Sequence, residues 1–311
     1  MMKTIKAIRP YLRHSSGNFK CKPYEEWIKE GGLTANACYP PRLLHGIAHH
    51  IEPPTLNIRQ SQARLRFAEA FTINFDCWPD YLWCETIPFI WDCWPSMYDR
   101  IEKWFYKHNI RTAIFTSSIT AEEIRQRCPD VNILHITEGI DTSVYHAGGS
   151  LVRRSIDFLE YGSKQRNLFD KPLEGINHVN STSIITQMMT WDDLLNTMSD
   201  AKVTLALPRC DIDQEVTGGV ETLTQRFWEG MLSRSVLVGR APKELTDLIG
   251  YNPVITLDRQ NAEDQIKDII THIDDYQVLV DKNRETALTM APWSIRIKKI
   301  MNWLTELGYK I

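Results

Sequence analysis

A glycine pair, a helical stretch and a buried strand follow one another between Gly218 and Gly239 of this 311-residue chain, and this order strongly restricts the fold. The pair Gly218-Gly219 predicts a turn, because glycine adopts backbone angles that other residues avoid. An apolar helix should follow through Glu229, and Ser235–Gly239 has the composition of a buried strand. Turn, helix, short loop and strand in this order are typical of a nucleotide-binding α/β domain.

Two carboxylates, Glu221 and Glu229, lie eight positions apart in this segment. If both were helical they would be about 12 Å apart, roughly the length of a diphosphate plus a sugar. A glycine turn that opens a helix also offers unpaired backbone N–H groups to an anion. The alternative is a surface helix with two solvated acids.

Composition limits the classes of function. The net charge of −3 makes nucleic acid an unexpected main partner. No apolar run approaches the roughly 18 residues of a membrane span, and the first ten residues lack a signal-peptide pattern. The seven cysteines form no Cys-x2-Cys pair, which argues against a zinc site. We therefore expect a reduced, cytoplasmic protein without a zinc site.

Strands and helices alternate along both halves of the chain, which predicts α/β architecture with parallel sheets covered on both faces. A seam is expected at Ala147–Ser150, followed by a second series of elements. The expected strands are 4–8, 71–75, 87–91, 111–116, 131–136, 156–162, 202–207, 235–238 and 253–256. The expected helices are 24–29, 97–108, 120–128, 242–248, 262–282 and 293–307, with another opening at Trp191.

Several segments, in order, resemble the GT-B-fold glycosyltransferases of the retaining, family-4-like type. The spacing Glu221-x7-Glu229 is similar to that group's Glu-x7-Glu signature. Three further segments resemble the group's pattern: 115–124, 137–146 and 160–166. One departure is the Glu-Thr-Leu-Thr sequence after Gly219, where the group commonly has Glu-Gly-Phe-Gly.

This resemblance implies two Rossmann-like parallel-sheet domains that face a central cleft. Residues 1–150 would form the acceptor-side domain and residues 151–292 the domain that binds the nucleotide-sugar. Residues 293–311 would be a helix that crosses back to the first domain. The first domain's usual glycine-rich loop is not recognisable before residue 60.

The resemblance also implies roles for donor-side residues. Glu221 would lie near the donor sugar and Glu229 near the ribose of the nucleotide, because one carboxylate can accept from two hydroxyls. Lys164 and Arg166, after Gly162, are candidate cations for the diphosphate, with a solvated loop as the alternative. Further donor-binding candidates are Gly219, Thr222, Leu223, Thr224 and Arg226. Arg226 could instead pair with Glu229, three residues along the helix.

Candidates on the acceptor side are less specific. His45, in a segment that also contains His49 and His50, could contact hydroxyls, although a structural histidine is the alternative. Asp92 follows a predicted strand and Glu138 lies beside Gly139, so both are candidates for a cleft at a sheet's carboxyl edge. A cluster of tryptophans suits a core better than a surface that stacks on a sugar or lipid acceptor: Trp78, Trp83, Trp91 and Trp94.

The predicted function is transfer of a sugar from a UDP-, GDP- or similar nucleotide-sugar to a hydroxyl acceptor. The resemblance implies retention, no metal, and a leaving phosphate that takes the acceptor's proton. A glycan or lipid-linked acceptor in polysaccharide biosynthesis, with peripheral membrane contact, is a hypothesis. The alternatives are a nucleotide-sugar epimerase and a non-catalytic nucleotide-binding protein. Sequence leaves the donor, acceptor, pathway, oligomeric state and stereochemistry open.

Overall fold

A computed structural model describes residues 3–10, 20–37, 62–162, 167–187 and 189–311. Contacts between residues divide the chain into two compact units. The first unit contains Met1–Gly139, Glu215–Thr222 and Trp293–Ile311, and the second contains Ile140–Gln214 and Leu223–Pro292.

The strands and helices are numbered here along the chain. The strands are β1 Lys3–Ile8, β2 Thr34–Ala35, β3 Gln62–Glu69, β4 Glu85–Trp91, β5 Thr112–Phe115, β6 Asn132–His135, β7 Ile156–Leu159, β8 His178–Val179, β9 Ala201–Ala206, β10 Val236–Gly239, β11 Val254–Thr256 and β12 Tyr309–Lys310. The α-helices are α1 Cys21–Lys29, α2 Ile73–Asp76, α3 Tyr98–Lys107, α4 Ser118–Arg127, α5 Ser181–Thr186, α6 Trp191–Asp200, α7 Gln214–Thr217, α8 Gln225–Leu232, α9 Lys243–Ile249, α10 Ala262–Thr271, α11 Gln277–Met290 and α12 Trp293–Glu306.

The first unit is built on a parallel sheet of order β12-β1-β3-β4-β5-β6, with β2 beside β1. Successive side chains of its central strands point to opposite faces of the sheet, so they pack in two different cores. On β4, Phe89 and Trp91 pack with helices α1 and α12, whereas Ile90 packs with α3 and α4. The sheet is therefore buried on both faces, as predicted for parallel strands.

Helix α12 presents an apolar face to the first unit. Trp293, Ile297, Ile300 and Leu304 recur at helical spacing and are buried in the same core as β3 and β4. The helix predicted at 293–307 therefore belongs to the first unit in its contacts.

The second unit is built on a parallel sheet of order β11-β10-β9-β7-β8. Successive side chains of β10 again point to opposite faces of the sheet. Val236 and Val238 pack with α10 and α11, whereas Leu237 packs with α8. Two parallel sheets with helices around them confirm the predicted α/β class.

Two predicted elements are wrong. Residues 71–75 form a 3₁₀ turn and α2 rather than a strand, because Thr72 Oγ1 and the amide of Glu69 donate to Asp76 Oδ2 and close a turn. The single helix predicted at 262–282 is broken after α10, because His272 leaves the helical region at φ −107° and ψ 32° and a 3₁₀ turn at Ile273–Tyr276 precedes α11. Strand β3 was not predicted at all.

Candidate functional site

The segment from Gly218 to Glu229 has the predicted turn, but only its second acid is helical. Gly218 and Gly219 have φ of 57° and 78°, angles that favour glycine. Helix α8 begins at Gln225, so Glu221 lies before it and Glu229 within it. The 12 Å separation expected for two helical acids therefore does not apply.

In the first unit, hydroxyl groups tie the residues around Glu221 to the turn between β5 and α4. Ser117 Oγ donates to the Glu221 carbonyl at 3.3 Å. Thr222 Oγ1 donates to the Thr116 carbonyl at 3.3 Å, and Thr222 is buried. The backbone of Glu221 is thus fixed on the sheet's carboxyl edge.

A small, open pocket lies at that edge and brings together two acceptor-side candidates. Asp92 follows β4 with φ of 50°, and Glu138 follows β6. Both line the pocket with Ile90, Cys93, Trp94, Phe115, Thr116, Ser117, Thr120 and Thr222. Ligands of open α/β sheets bind at this kind of edge, and the acceptor role of Asp92 and Glu138 stays a prediction.

Buried hydrogen bonds connect residues that line this pocket. Thr120 Oγ1 donates to the Cys93 carbonyl at 2.9 Å and lies 3.2 Å from the Tyr98 hydroxyl. Burial raises the pKa of the Cys93 thiol far above its ordinary value, so the thiol stays protonated and is a poor nucleophile. Trp91 and Trp94 are buried, while Trp83 is 39% exposed.

In the second unit, two tyrosines contact the carboxylate of Glu229. The hydroxyl of Tyr161 donates to Oε2 at 2.7 Å, and that of Tyr145 donates to Oε1 at 3.3 Å. Both tyrosines are buried, and Glu229 is half-buried. Burial, followed by the charge of Glu229, raises the pKa of Tyr145, which therefore remains a donor.

Arg226 contacts Tyr161 instead of pairing with Glu229. Its Nη1 donates to the Tyr161 carbonyl at 2.7 Å, and its guanidinium carbon lies 4.2 Å from the Tyr161 ring centre. Together with Leu205, Leu207 and Ile212, these two residues line a second pocket at the carboxyl end of β9.

The backbone amides just before α8, which were expected to bind phosphate, do not form one unpaired group at the start of the helix. The N–H of Leu223 donates to Oε2 of Glu244 at 2.7 Å, so a carboxylate already lies near the start of α8. Thr224 is the N-cap of α8, and its side chain makes no capping bond. Thr222 belongs to the first unit.

Several sequence-based candidates lie outside the described residues: Lys164, Arg166, His45, His49 and His50. Gly162 is described, and its φ of 110° favours glycine directly after Tyr161.

Sequence reasoning missed Tyr145, Tyr161 and Glu244 as partners of the predicted site. Tyr145 and Tyr161 are 84 and 68 positions from Glu229, so no local spacing connects them. Their only sequence signal is position, since each lies in a segment that carries the family resemblance.

Within the described ranges, no group of three or more His, Cys, Asp or Glu side chains could hold a metal ion. No helix among those same residues is both long and apolar enough to cross a membrane.

No protein-family model and no curated protein matches the chain by sequence. Solved structures do resemble it. The Anabaena Alr3699/HepE structure in complex with UDP-glucose aligns with TM-score 0.64 and 8% identity over 98% of this chain and 100% of that one. A glycosyltransferase from Rickettsia africae aligns with TM-score 0.50 and 12% identity over 98% of each chain.

The TarM structure aligns with TM-score 0.51 and 10% identity over 78% of this chain and 54% of that one, so the match spans about half of TarM. At such identities the likeness concerns the fold. The chain has the GT-B fold, with two parallel-sheet units, which confirms the predicted fold class.

Proposed function

We propose that this chain is a glycosyltransferase that moves a sugar from a nucleoside-diphosphate sugar to a hydroxyl acceptor. The observation that carries the proposal is the Glu229 carboxylate, half-buried on α8 and fixed by two tyrosine hydroxyls within a parallel-sheet unit. The likeness to HepE, whose structure holds UDP-glucose, supports this class of donor.

In this proposal, residues 151–292 bind the donor and residues 1–150 bind the acceptor. Glu229 accepts from the ribose hydroxyls. Lys164 and Arg166, after Gly162, neutralise the diphosphate, and Glu221 contacts the donor sugar. Charges already aimed at the leaving group lower the barrier most effectively.

The proposed reaction retains the anomeric configuration. The acceptor oxygen bonds to the anomeric carbon as the bond from that carbon to the diphosphate oxygen breaks. The acceptor's proton passes to an oxygen of the leaving phosphate, so no protein base is required. Cationic side chains stabilise the diphosphate, and a metal ion is not needed in this scheme.

Pocket residues Asp92 and Glu138 are the proposed contacts for acceptor hydroxyls. Both line one pocket at the carboxyl edge of the first unit's sheet, beside Thr222. Carboxylate oxygens accept hydrogen bonds from sugar hydroxyls, so a glycan acceptor suits this lining.

The test begins with a thermal-shift screen against UDP, GDP, ADP and dTDP and their sugar conjugates. A ligand at 100 times its Kd stabilises the native state by about 2.7 kcal/mol. Glu229→Gln should weaken the best ligand about tenfold or more, because a hydrogen bond to a charged group is lost. Glu263→Gln, an exposed helical acid paired with Lys267, is the matched control.

Product analysis then separates the alternatives. Release of the nucleoside diphosphate together with a glycosylated acceptor supports the proposal. Epimerised donor would identify an epimerase, and binding without turnover would identify a nucleotide-binding protein. No binding by any nucleotide would overturn the proposal.

A further inference from the structure

We propose that Tyr161 and Tyr145 are positioning residues that hold the Glu229 carboxylate in place for the two ribose hydroxyls of the donor nucleotide. This inference rests on the proposed function. The hydroxyls of Tyr161 and Tyr145 each donate to a different oxygen of Glu229.

The arrangement leaves room for a diol. An ionised carboxylate has two oxygens and about four lone-pair sites. Each tyrosine hydroxyl uses one site on one oxygen, so each oxygen retains a site for a further donor. Glu229 is half-buried, whereas both tyrosines are buried, so Glu229 is the most accessible of these three residues.

Tyr161 is itself held from two directions. Arg226 donates to its carbonyl at 2.7 Å and stacks 4.2 Å from its ring centre. Tyr145 and Tyr161 also pack in one core with Phe227 and Trp228 of α8. Because these rings are ordered before any ligand arrives, little conformational freedom remains to be lost on binding.

The two tyrosines are not equivalent. The contact from Tyr161 is 2.7 Å and the contact from Tyr145 is 3.3 Å, and hydrogen bonds to charged acceptors weaken as they lengthen. We therefore expect the loss of the Tyr161 hydroxyl to matter more than the loss of the Tyr145 hydroxyl.

The experiment compares a nucleoside diphosphate with its 2′,3′-dideoxy analogue. The base is the one that binds best in the screen of four diphosphates, and Kd is measured by calorimetry for the wild type and for Tyr161→Phe, Tyr145→Phe and Glu229→Gln. The ratio of the two Kd values reports how strongly the protein senses the ribose hydroxyls. Tyr251→Phe is the matched control, since its hydroxyl donates to Oδ1 of Asn283 and lies 3.2 Å from the Thr286 hydroxyl in the same unit.

We expect wild type to prefer the ribonucleotide, and Glu229→Gln to remove most of that preference. Tyr161→Phe should reduce the ratio about fivefold, Tyr145→Phe should reduce it less, and Tyr251→Phe should leave it unchanged. Affinity for the dideoxy analogue should remain near wild type in both positioning variants. With turnover, KM for the donor should rise while kcat changes little.

The outcomes separate the two proposals. If Glu229→Gln removes the preference but both Phe variants keep it, the positioning role is wrong and the ribose assignment stands. An equal loss of affinity for both ligands would indicate a merely structural role and would also overturn the inference. A wild type that does not distinguish the two ligands would overturn the assignment of Glu229 itself. If Tyr161→Phe does not fold, the ratio for Tyr145→Phe decides.

Discussion

Nε2 of His178 lies 2.9 Å from Oε2 of Glu160, and these two side chains are 0% and 1% exposed within the second unit. The amide of Leu173 donates to Nδ1 of His178 at 2.9 Å, so Nδ1 is an acceptor and the proton is on Nε2. The other oxygen of Glu160 accepts from the amide of Leu168. The pair therefore holds both ends of the segment 168–173.

Breaking this pair should strongly destabilise the second unit. His178→Phe keeps an aromatic ring but leaves Glu160 charged and buried, and leaves the Leu173 amide without its acceptor. We expect a loss of about 3–5 kcal/mol in the free energy of unfolding, measured by urea denaturation. Glu160→Gln should lose about 1–3 kcal/mol, because the amide has one acceptor oxygen where the carboxylate uses two.

The control is His272→Phe, which alters an exposed histidine that also lies beside an acid, Asp268 at 3.1 Å. Its effect should stay within about 0.5 kcal/mol. The double variant of Glu160 and His178 should lose less than the sum of the single losses, since both changes remove one interaction. Additive losses would contradict the pairing.

Gly239 ends β10 where no side chain fits. A Cβ atom there would lie 1.9 Å from the carbonyl oxygen of Ala206, its partner on β9. Because that obstacle is backbone, Gly239→Ala should lower stability by at least about 2 kcal/mol. Gly250→Ala meets no atom within 4 Å at φ of 78°, so strain alone should make it lose about 1 kcal/mol. Equal losses would show that crowding at Gly239 is not the decisive factor.

Asp211 and Arg240 form a two-point ion pair in the second unit, with contacts of 2.7 and 2.6 Å. Hydrogen bonds from Arg240 lower the pKa of Asp211 below its ordinary 3.8. A lowered carboxyl pKa adds stability above the unfolded value, and that stability disappears as the pH falls through the lower folded value.

We therefore expect the wild type to lose more stability than Asp211→Asn as the pH falls below 3.8. The difference should be under about 1 kcal/mol because Arg240 is 43% exposed. Urea midpoints measured across this acidic range test the prediction, with the exposed Asp274→Asn as control. Parallel acid curves for wild type and Asp211→Asn would refute it.

Thr222 should matter for both stability and activity. Thr222→Val keeps the shape but removes the hydroxyl that donates to the Thr116 carbonyl, so stability should fall by about 1 kcal/mol. Because Glu221 is the adjacent residue, we also expect kcat/KM for the donor to fall about fivefold. Thr305→Val removes a similar hydroxyl contact on the exposed face of α12 and should leave kcat/KM unchanged. If Thr222→Val lowers stability but leaves kcat/KM unchanged, the hydrogen bond from Thr222 to Thr116 has no role in catalysis.

Elements with a regular pattern of apolar residues were predicted well from the sequence. The run at β10 is apolar on both faces, and α12 repeats apolar residues at helical spacing, so both were found close to their observed bounds. The glycine turn at 218–219 was also predicted correctly, because few other residues adopt its backbone angles.

Strand β3 was missed because Arg64 and Arg66 interrupt its apolar pattern. Arg66 is nevertheless 2% exposed, since Asp80 accepts from its Nε at 2.6 Å and the Trp78 carbonyl accepts from Nη2. A buried charge needs such partners, and those partners are 12 and 14 positions away.

The chain's own pattern determined the α/β class, the glycine turn and the candidate status of Glu229, because these depend on local periods and residue chemistry. Tertiary structure alone decided that Tyr145 and Tyr161 hold that carboxylate, that Arg226 stacks on Tyr161, and that Asp92 shares a pocket with Glu138. These contacts join residues far apart in sequence, and only the packing of strands and helices sets such distances.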